Sequence, residues 1–228
     1  MKRMVAKFGG ASVGDGELVL KAASSVYDEF KRGTQVVVVV SAMGNTTDEL
    51  VEAARKSTGG KISAKEMDDI MSMGERTSVR IFAAALSSLG ARAKYIDPSS
   101  EEWPVITDSS FGGAKIDLKE TRQRVKEKLL PLLERGIIPV VCGFLGQERE
   151  GNVKTLGRGG SDITALLLAS CLEAEEVVFV KDVEGILSGD PARVQGTKLI
   201  EEISAEEMRN LAAFGAKVLH PRALDFKD

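Results

Sequence analysis

The chain has 228 residues, 43% hydrophobic and 29% charged, which fits one large folded domain with a real core and excludes a disordered chain. Its formal net charge of −3 and pI near 5.5 give no electrostatic case for a nucleic-acid partner or an anionic membrane. The longest apolar run falls far short of the ~20 residues of a membrane helix, and Met1-Lys2-Arg3 leads into a strand pattern instead of a signal segment, so the chain reads as cytoplasmic.

Residues 4–8 are apolar around Lys7 and predict a strand running into Gly9-Gly10. A helix follows over 15–32, with Leu18, Ala22, Val26 and Phe30 at near-helical spacing and Lys31-Arg32-Gly33 as its C-terminal signature. Residues 35–40 form a strand. Thr46-x-x-Glu49 and Ser63-x-x-Glu66 read as capping boxes; the first opens a helix that breaks at Gly59-Gly60, the second a long helix to Gly90. After a strand at 92–96, the Pro-, Ser- and Gly-rich segment 98–117 holds a short strand at 104–107 and a hairpin or flap near Phe111-Gly112-Gly113.

Helix 118–135 stops at Gly136, 137–142 is a buried strand, and 143–154 reads as a loop of charge and glycine. Beyond the turn 155–162 come a helix from Ile163, a strand at 176–180, a loop at 181–197 and a helix opened by the box Ser204-x-x-Glu207. Such β–α alternation predicts a mainly parallel sheet with helices on both faces and ligands at the carboxyl ends of the strands. Cys142 and Cys171 lack metal or redox spacing and read as buried thiols, and the single histidine, His220, removes most catalytic triads and histidine metal sites.

The densest chemical signal is TLGRGGSD at 155–162, followed directly by the apolar run from Ile163. Glycine lets backbone N–H groups approach a ligand, and a helix N-terminus offers unpaired donors and partial positive charge, so the segment suits phosphate or carboxylate. Taken alone it also fits a capped helix after a tight turn, with Ser161 or Asp162 as the cap. VAKFGGASV at 5–13 and VVVVVSAMGNTTD at 36–48 each add a strand running into a glycine turn. Neither GxxxxGK[ST] nor GxGxxG occurs.

The strings KFGGASV, VVSAMGNTTDEL, MGERTS, KTLGRGGSDITA, KDVEGI and FGAKVLHPRAL, in this order over residues 5–224, resemble the motif set of the aspartate kinases within the amino-acid kinase superfamily. The resemblance implies an α/β fold, a three-layer α/β/α sandwich, with acceptor and nucleotide end to end across the sheet edge. It implies ATP-dependent phosphorylation of the side-chain carboxylate of L-aspartate for lysine, threonine and methionine biosynthesis, with Mg²⁺ carried mainly by the ATP phosphates and no dedicated metal ligands. Lys7, Gly9 and Gly10 would hold the transferring phosphoryl group, with Lys7, Arg158 and Asp162 as the catalytic set. Arg158 suits the α-carboxylate of aspartate as a bidentate fork and Glu75 the α-ammonium, while Asp162 either shares that task or orients a lysine. Ser41, Thr47 and Ser161 would be hydroxyl partners for the carboxylates, and Lys181, Asp182 and Lys217 would serve ATP.

Some residues depart from the pattern. Ala11 stands where the family usually has threonine, Ala192 follows Asp190-Pro191 where arginine is common, with Arg193 one place later, and Lys154 adds charge near the acceptor site. The sequence stops at Asp228, and the resemblance implies that aspartate kinases continue past this point into further strands and paired ACT regulatory domains. The expectation is one catalytic domain over 1–228, acting as a homodimer or with a partner supplying the missing C-terminal part. Two alternatives stand beside it: a related kinase with another acceptor, and a non-catalytic nucleotide-binding subunit.

Overall fold

A computed structural model describes residues 1–181, 185–189, 194–213, 219 and 223. In chain order the elements are β1 (Arg3–Phe8), α1 (Gly16–Lys31), β2 (Gln35–Val40), α2 (Thr46–Ser57), α3 (Ala64–Ser88) and β3 (Ala93–Ile96). They continue with α4 (Leu118–Arg124), a π-helical turn (Val125–Leu129), α5 (Leu130–Glu134), β4 (Ile138–Cys142), β5 (Leu145–Gln147) and β6 (Val153–Thr155). Then follow α6 (Gly160–Leu172), β7 (Glu176–Val180), the short pair β8 (Ile186–Leu187) and β9 (Leu199–Ile200), and α7 (Ala205–Ala213).

Five of these strands make a parallel sheet in the order β3-β4-β2-β1-β7. The chain steps from β1 through β2 towards β3, then returns through β4 to β7. Right-handed crossovers therefore put α1, α2 and α3 on one face and α4, α5 and α6 on the other. The packing agrees: α3 lies against α1 and α2, and α6 against β1 and the π-helical turn. Val36 to Val40 of β2 are all buried, as a strand covered on both faces requires, and each valine contributes roughly 1.5–3 kcal/mol by leaving water. Phe82 and Leu86 of α3, Trp103, Ile138 and Leu167 fill the same core.

Several expectations shift in detail. The buried stripe of α1 is Val19, Ala22, Ala23 and Val26, while Leu18 faces outward. The Ser63–Glu66 and Ser204–Glu207 boxes form, but Thr46 caps nothing: its hydroxyl donates to Met43 O and Asn45 takes the cap position. The helix expected at 118–135 is broken by the π-helical turn, because Pro131 has no N–H to continue the ladder.

Residues 104–107 give only the bridges Ile106↔Gln147 and Thr107↔Ile116, since Pro104 also lacks a donor; the second bridge closes a flap with Phe111-Gly112-Gly113 at its tip. The segment read as a loop at 143–154 is the antiparallel hairpin β5–β6, with Glu148, Arg149 and Glu150 in its turn and Lys154 on β6. Part of 181–197, read as a loop, forms the β8 arm of the β8–β9 ladder. Cys142 and Cys171 are free, buried thiols whose pKa values burial pushes up. No helix among the described residues is long and apolar enough to cross a membrane.

Candidate active site

The carboxyl ends of β1, β2 and β4 open onto one cleft of about 350 Å³. Lys7 is the penultimate residue of β1, and its side chain is only 8% exposed. Its Nζ lies 2.8 Å from Asp162 Oδ1. The contact is an ion pair set off the hydrogen-bonding direction, so that carboxylate oxygen has no directional donor among the described residues. Asp162 sits in the first turn of α6, where a carboxylate suits the positive end of the helix. Of the two roles open to it, this geometry is that of a group that orients a lysine.

Two loops are stitched together beside Lys7. Ser41 N donates to Phe8 O at 3.1 Å and Gly44 N to Gly10 O at 3.1 Å, so the turns after β1 and β2 form one floor. A Cβ on Gly10 would stand 2.9 Å from Ala42 O, leaving no room for a side chain. Gly9 does not line the cleft, and its N–H donates to Val180 O at 3.3 Å.

Glu75 reaches this floor from α3. The helix can approach because its neighbour Gly74 has no side chain: a Cβ there would come within 2.8 Å of Ala42 Cβ and 3.2 Å of Thr47 Oγ1. Glu75 Oε1 accepts from Ala42 N at 3.1 Å, while the buried Oε2 has no partner among the described residues. Burial raises the Glu75 carboxyl to about 7, against the opposing Ala42 N–H. An orphaned, desolvated carboxylate oxygen lining a cleft is a receptor for a cation.

The opposite wall is the turn Gly157-Arg158-Gly159. Gly159, at φ 75°, is the left-handed N-cap of α6, so the helix begins at Gly160 and not at Ile163, and neither Ser161 nor Asp162 acts as its cap. Both lie instead in the first helical turn, on the cleft. Arg158 is exposed at the tip of the turn. Ser41, Thr47 and Ser161 also line the cleft, together with Ala42, Gly44, Phe144 and Gly157, which sequence reasoning did not single out. Phe144 has a positive φ of 66°, a strained conformation for an aromatic residue. Nothing in its residue type announces that, whereas Gly157 stood inside the glycine motif.

Not every expected residue converges here. Lys181 closes β7 outside the cleft lining. Asp182, Lys217 and Arg193 lie outside the described residues. Lys154 does not present charge to the cleft: it is fully buried under the flap, with Glu148 at 3.2 Å, Ser109 O at 3.0 Å and the Phe111 ring centroid at 3.1 Å. A cleft with two cations, an orphaned carboxylate oxygen and a glycine-framed helix start suits a small zwitterion carrying a further anionic group.

The sequence matches the amino acid kinase family over residues 2–228. An aspartokinase of Bacillus sp. (strain MGA3) is 43% identical over 226 residues, covering 99% of this chain and 53% of that protein. Aspartokinase 2 of Bacillus subtilis (strain 168) is 40% identical over 226 residues, again 99% of this chain and 53% of the relative. The crystal structure of E. coli aspartokinase III in complex with aspartate and ADP superposes with a TM-score of 0.87 at 30% identity, covering 98% of this chain and 59% of that one. The chain thus spans about half the length of the curated relatives it matches.

Proposed function

Because this chain belongs to the amino acid kinase family, we propose that it transfers the γ-phosphoryl group of ATP to the side-chain carboxylate of L-aspartate, giving ADP and 4-phospho-L-aspartate. The observation that carries this reading is the convergence of the Lys7–Asp162 pair, the unpartnered Glu75 oxygen and Arg158 on one cleft at the carboxyl ends of the strands. The aspartate and ADP bound in the E. coli relative support the same pair of ligands.

Both reactants are anions, so the task is to neutralise charge and bring them into line; the acceptor is already ionised and needs no general base. Lys7 provides a fixed positive charge for the transferring phosphoryl, and Asp162 holds that ammonium in place. Arg158 takes the α-carboxylate of aspartate as a bidentate fork and Glu75 takes its α-ammonium. Ser41, Thr47 and Ser161 donate hydroxyls to the carboxylates. Mg²⁺ carried by ATP would neutralise part of the phosphate charge.

Lys181 at the end of β7 marks the nucleotide side, with Asp182 and Lys217 as its further residues. The working protein is a homodimer, or is completed by a partner that supplies a C-terminal part. An acceptor panel tests the reading. ADP release from MgATP should depend on L-aspartate and not on L-glutamate, N-acetylglutamate or a blank; release with another acceptor alone would reject aspartate.

A further inference from the structure

Gly143, one residue past β4, still donates its N–H to Val40 O at 2.9 Å, and the chain then bends. Leu145 N donates to Gly143 O at 2.8 Å across Phe144, whose φ is 66°. A bond that closes around a single residue of positive φ makes the strained form of γ-turn, which glycine would form at lower cost. Here the chain places an aromatic ring instead.

The turn is packed against the start of α6 with no room on either side. A Cβ on Gly143 would stand 2.7 Å from both Cβ and Oγ of Ser161. A Cβ on Gly160 would stand 2.8 Å from Phe144 Cδ2, 3.0 Å from Phe144 Cα and 3.1 Å from Leu156 Cβ. Leu156 is fully buried and donates its N–H to Phe144 O at 2.8 Å, so the approach to Gly157-Arg158-Gly159 rests on the same residue.

Buried Ile163, Leu167 and Leu168 hold the body of α6 on the sheet. Its first turn is held differently: the cap is Gly159, which has no side chain to accept from the open N–H groups. Contact with residues 143, 144 and 156 takes the place of that cap. Asp162, in this first turn, is the partner of Lys7 at 2.8 Å.

We propose that the strained turn at Phe144 positions the site for phosphoryl transfer: it seats the first turn of α6 and, through Asp162, fixes the Lys7 ammonium. The proposal rests on the aspartate-kinase reading. Phe144 acts through Ser161 and Asp162, and its strain is retained because the ring must fill the space over Gly160 at a backbone position suited to glycine.

The test separates stability from turnover. F144A loses the ring and keeps the strain, while F144G loses both, so F144G should have the higher Tm of the two. Its freer backbone should nevertheless make it the slower enzyme. At saturating MgATP and L-aspartate, kcat should fall about tenfold in F144A and about threefold further in F144G, the effect of a misplaced catalytic group. F144L, which returns an apolar branch to the space over Gly160, should recover most of the loss. A purely structural role would rank kcat with Tm. An F144G at least as active as F144A, either variant at the wild-type kcat, or an F144G with the lower Tm overturns the proposal.

G143A serves where neither truncation folds. Gly143 lies outside the positive-φ region, so alanine suits its backbone, and the new methyl pushes on Ser161 while Phe144 stays in place. A kcat lowered about tenfold or more upholds the proposal, and a smaller loss overturns it.

If the wild type shows no aspartate-dependent turnover, the functional reading fails by itself. The seat is then judged by amide hydrogen exchange in F144G: faster exchange at 159–163 than in the wild type upholds it, and unchanged exchange there rejects it.

Discussion

With its carboxyl raised to about 7 by burial, Glu75 makes stability depend on pH in a direction opposite to most acids. Between the unfolded value of 4.5 and the folded value near 7 the native state binds more protons, so stability falls as pH rises through that window. The full cost, roughly 3 kcal/mol, is present above pH 7 and absent below pH 4. E75Q keeps the acceptor for Ala42 N and removes the charge. Compared by urea denaturation, it should match the wild type at pH 4 and exceed it at pH 8; equal stability at both would contradict the assignment.

Lys7→Ala should lower turnover by about 10²–10³, the usual effect of losing one preorganised stabiliser of developing charge. Arg158→Ala should act chiefly on aspartate KM. Near-normal kinetics in either variant would dismiss that residue from the site. These residues were legible because each sat in a dense motif beside glycine. Phe144 was not: an aromatic residue after a strand gives no sign of a positive φ, and only the long-range fold shows it packed over Gly160.

At the scale of elements, Gly74 is where α3 meets the floor of the cleft. G74A places a methyl group 2.8 Å from Ala42 Cβ, so either the helix or the 41–47 loop must move. Such overpacking should cost about 1–3 kcal/mol, and the same shift pulls Glu75 from Ala42 N. A lower Tm together with a raised aspartate KM would bear this out, and a wild-type Tm would refute it.

Elements with strong periodicity or a local cap were readable: the Ser63 box starts α3, and Gly33 follows the end of α1. Elements defined by partners were not. The β5–β6 hairpin exists through pairing across a charged turn, and the π-helical turn through how the chain accommodates Pro131. Lys154 looked like a cleft charge because it neighbours the turn, yet strand alternation sends it under the flap.

For the whole molecule, alternation of strands and helices foretold the parallel sheet and its two helical faces, while strand order came only from the structure. The crossovers place three glycine turns at one sheet edge, which turns separate sequence motifs into a single charged cleft. β7 lies at the other side of β1 from β2, and Val177 to Val180, half-buried, pack against the core. The account stands or falls on the bond made in that cleft. The most direct measurement is to incubate the protein with MgATP and L-aspartate, trap any acyl phosphate with hydroxylamine, and identify the hydroxamate by mass spectrometry. The account predicts the hydroxamate of the side-chain carboxyl in amounts matching the ADP formed; ADP without it, or a hydroxamate on the α-carboxyl, contradicts it.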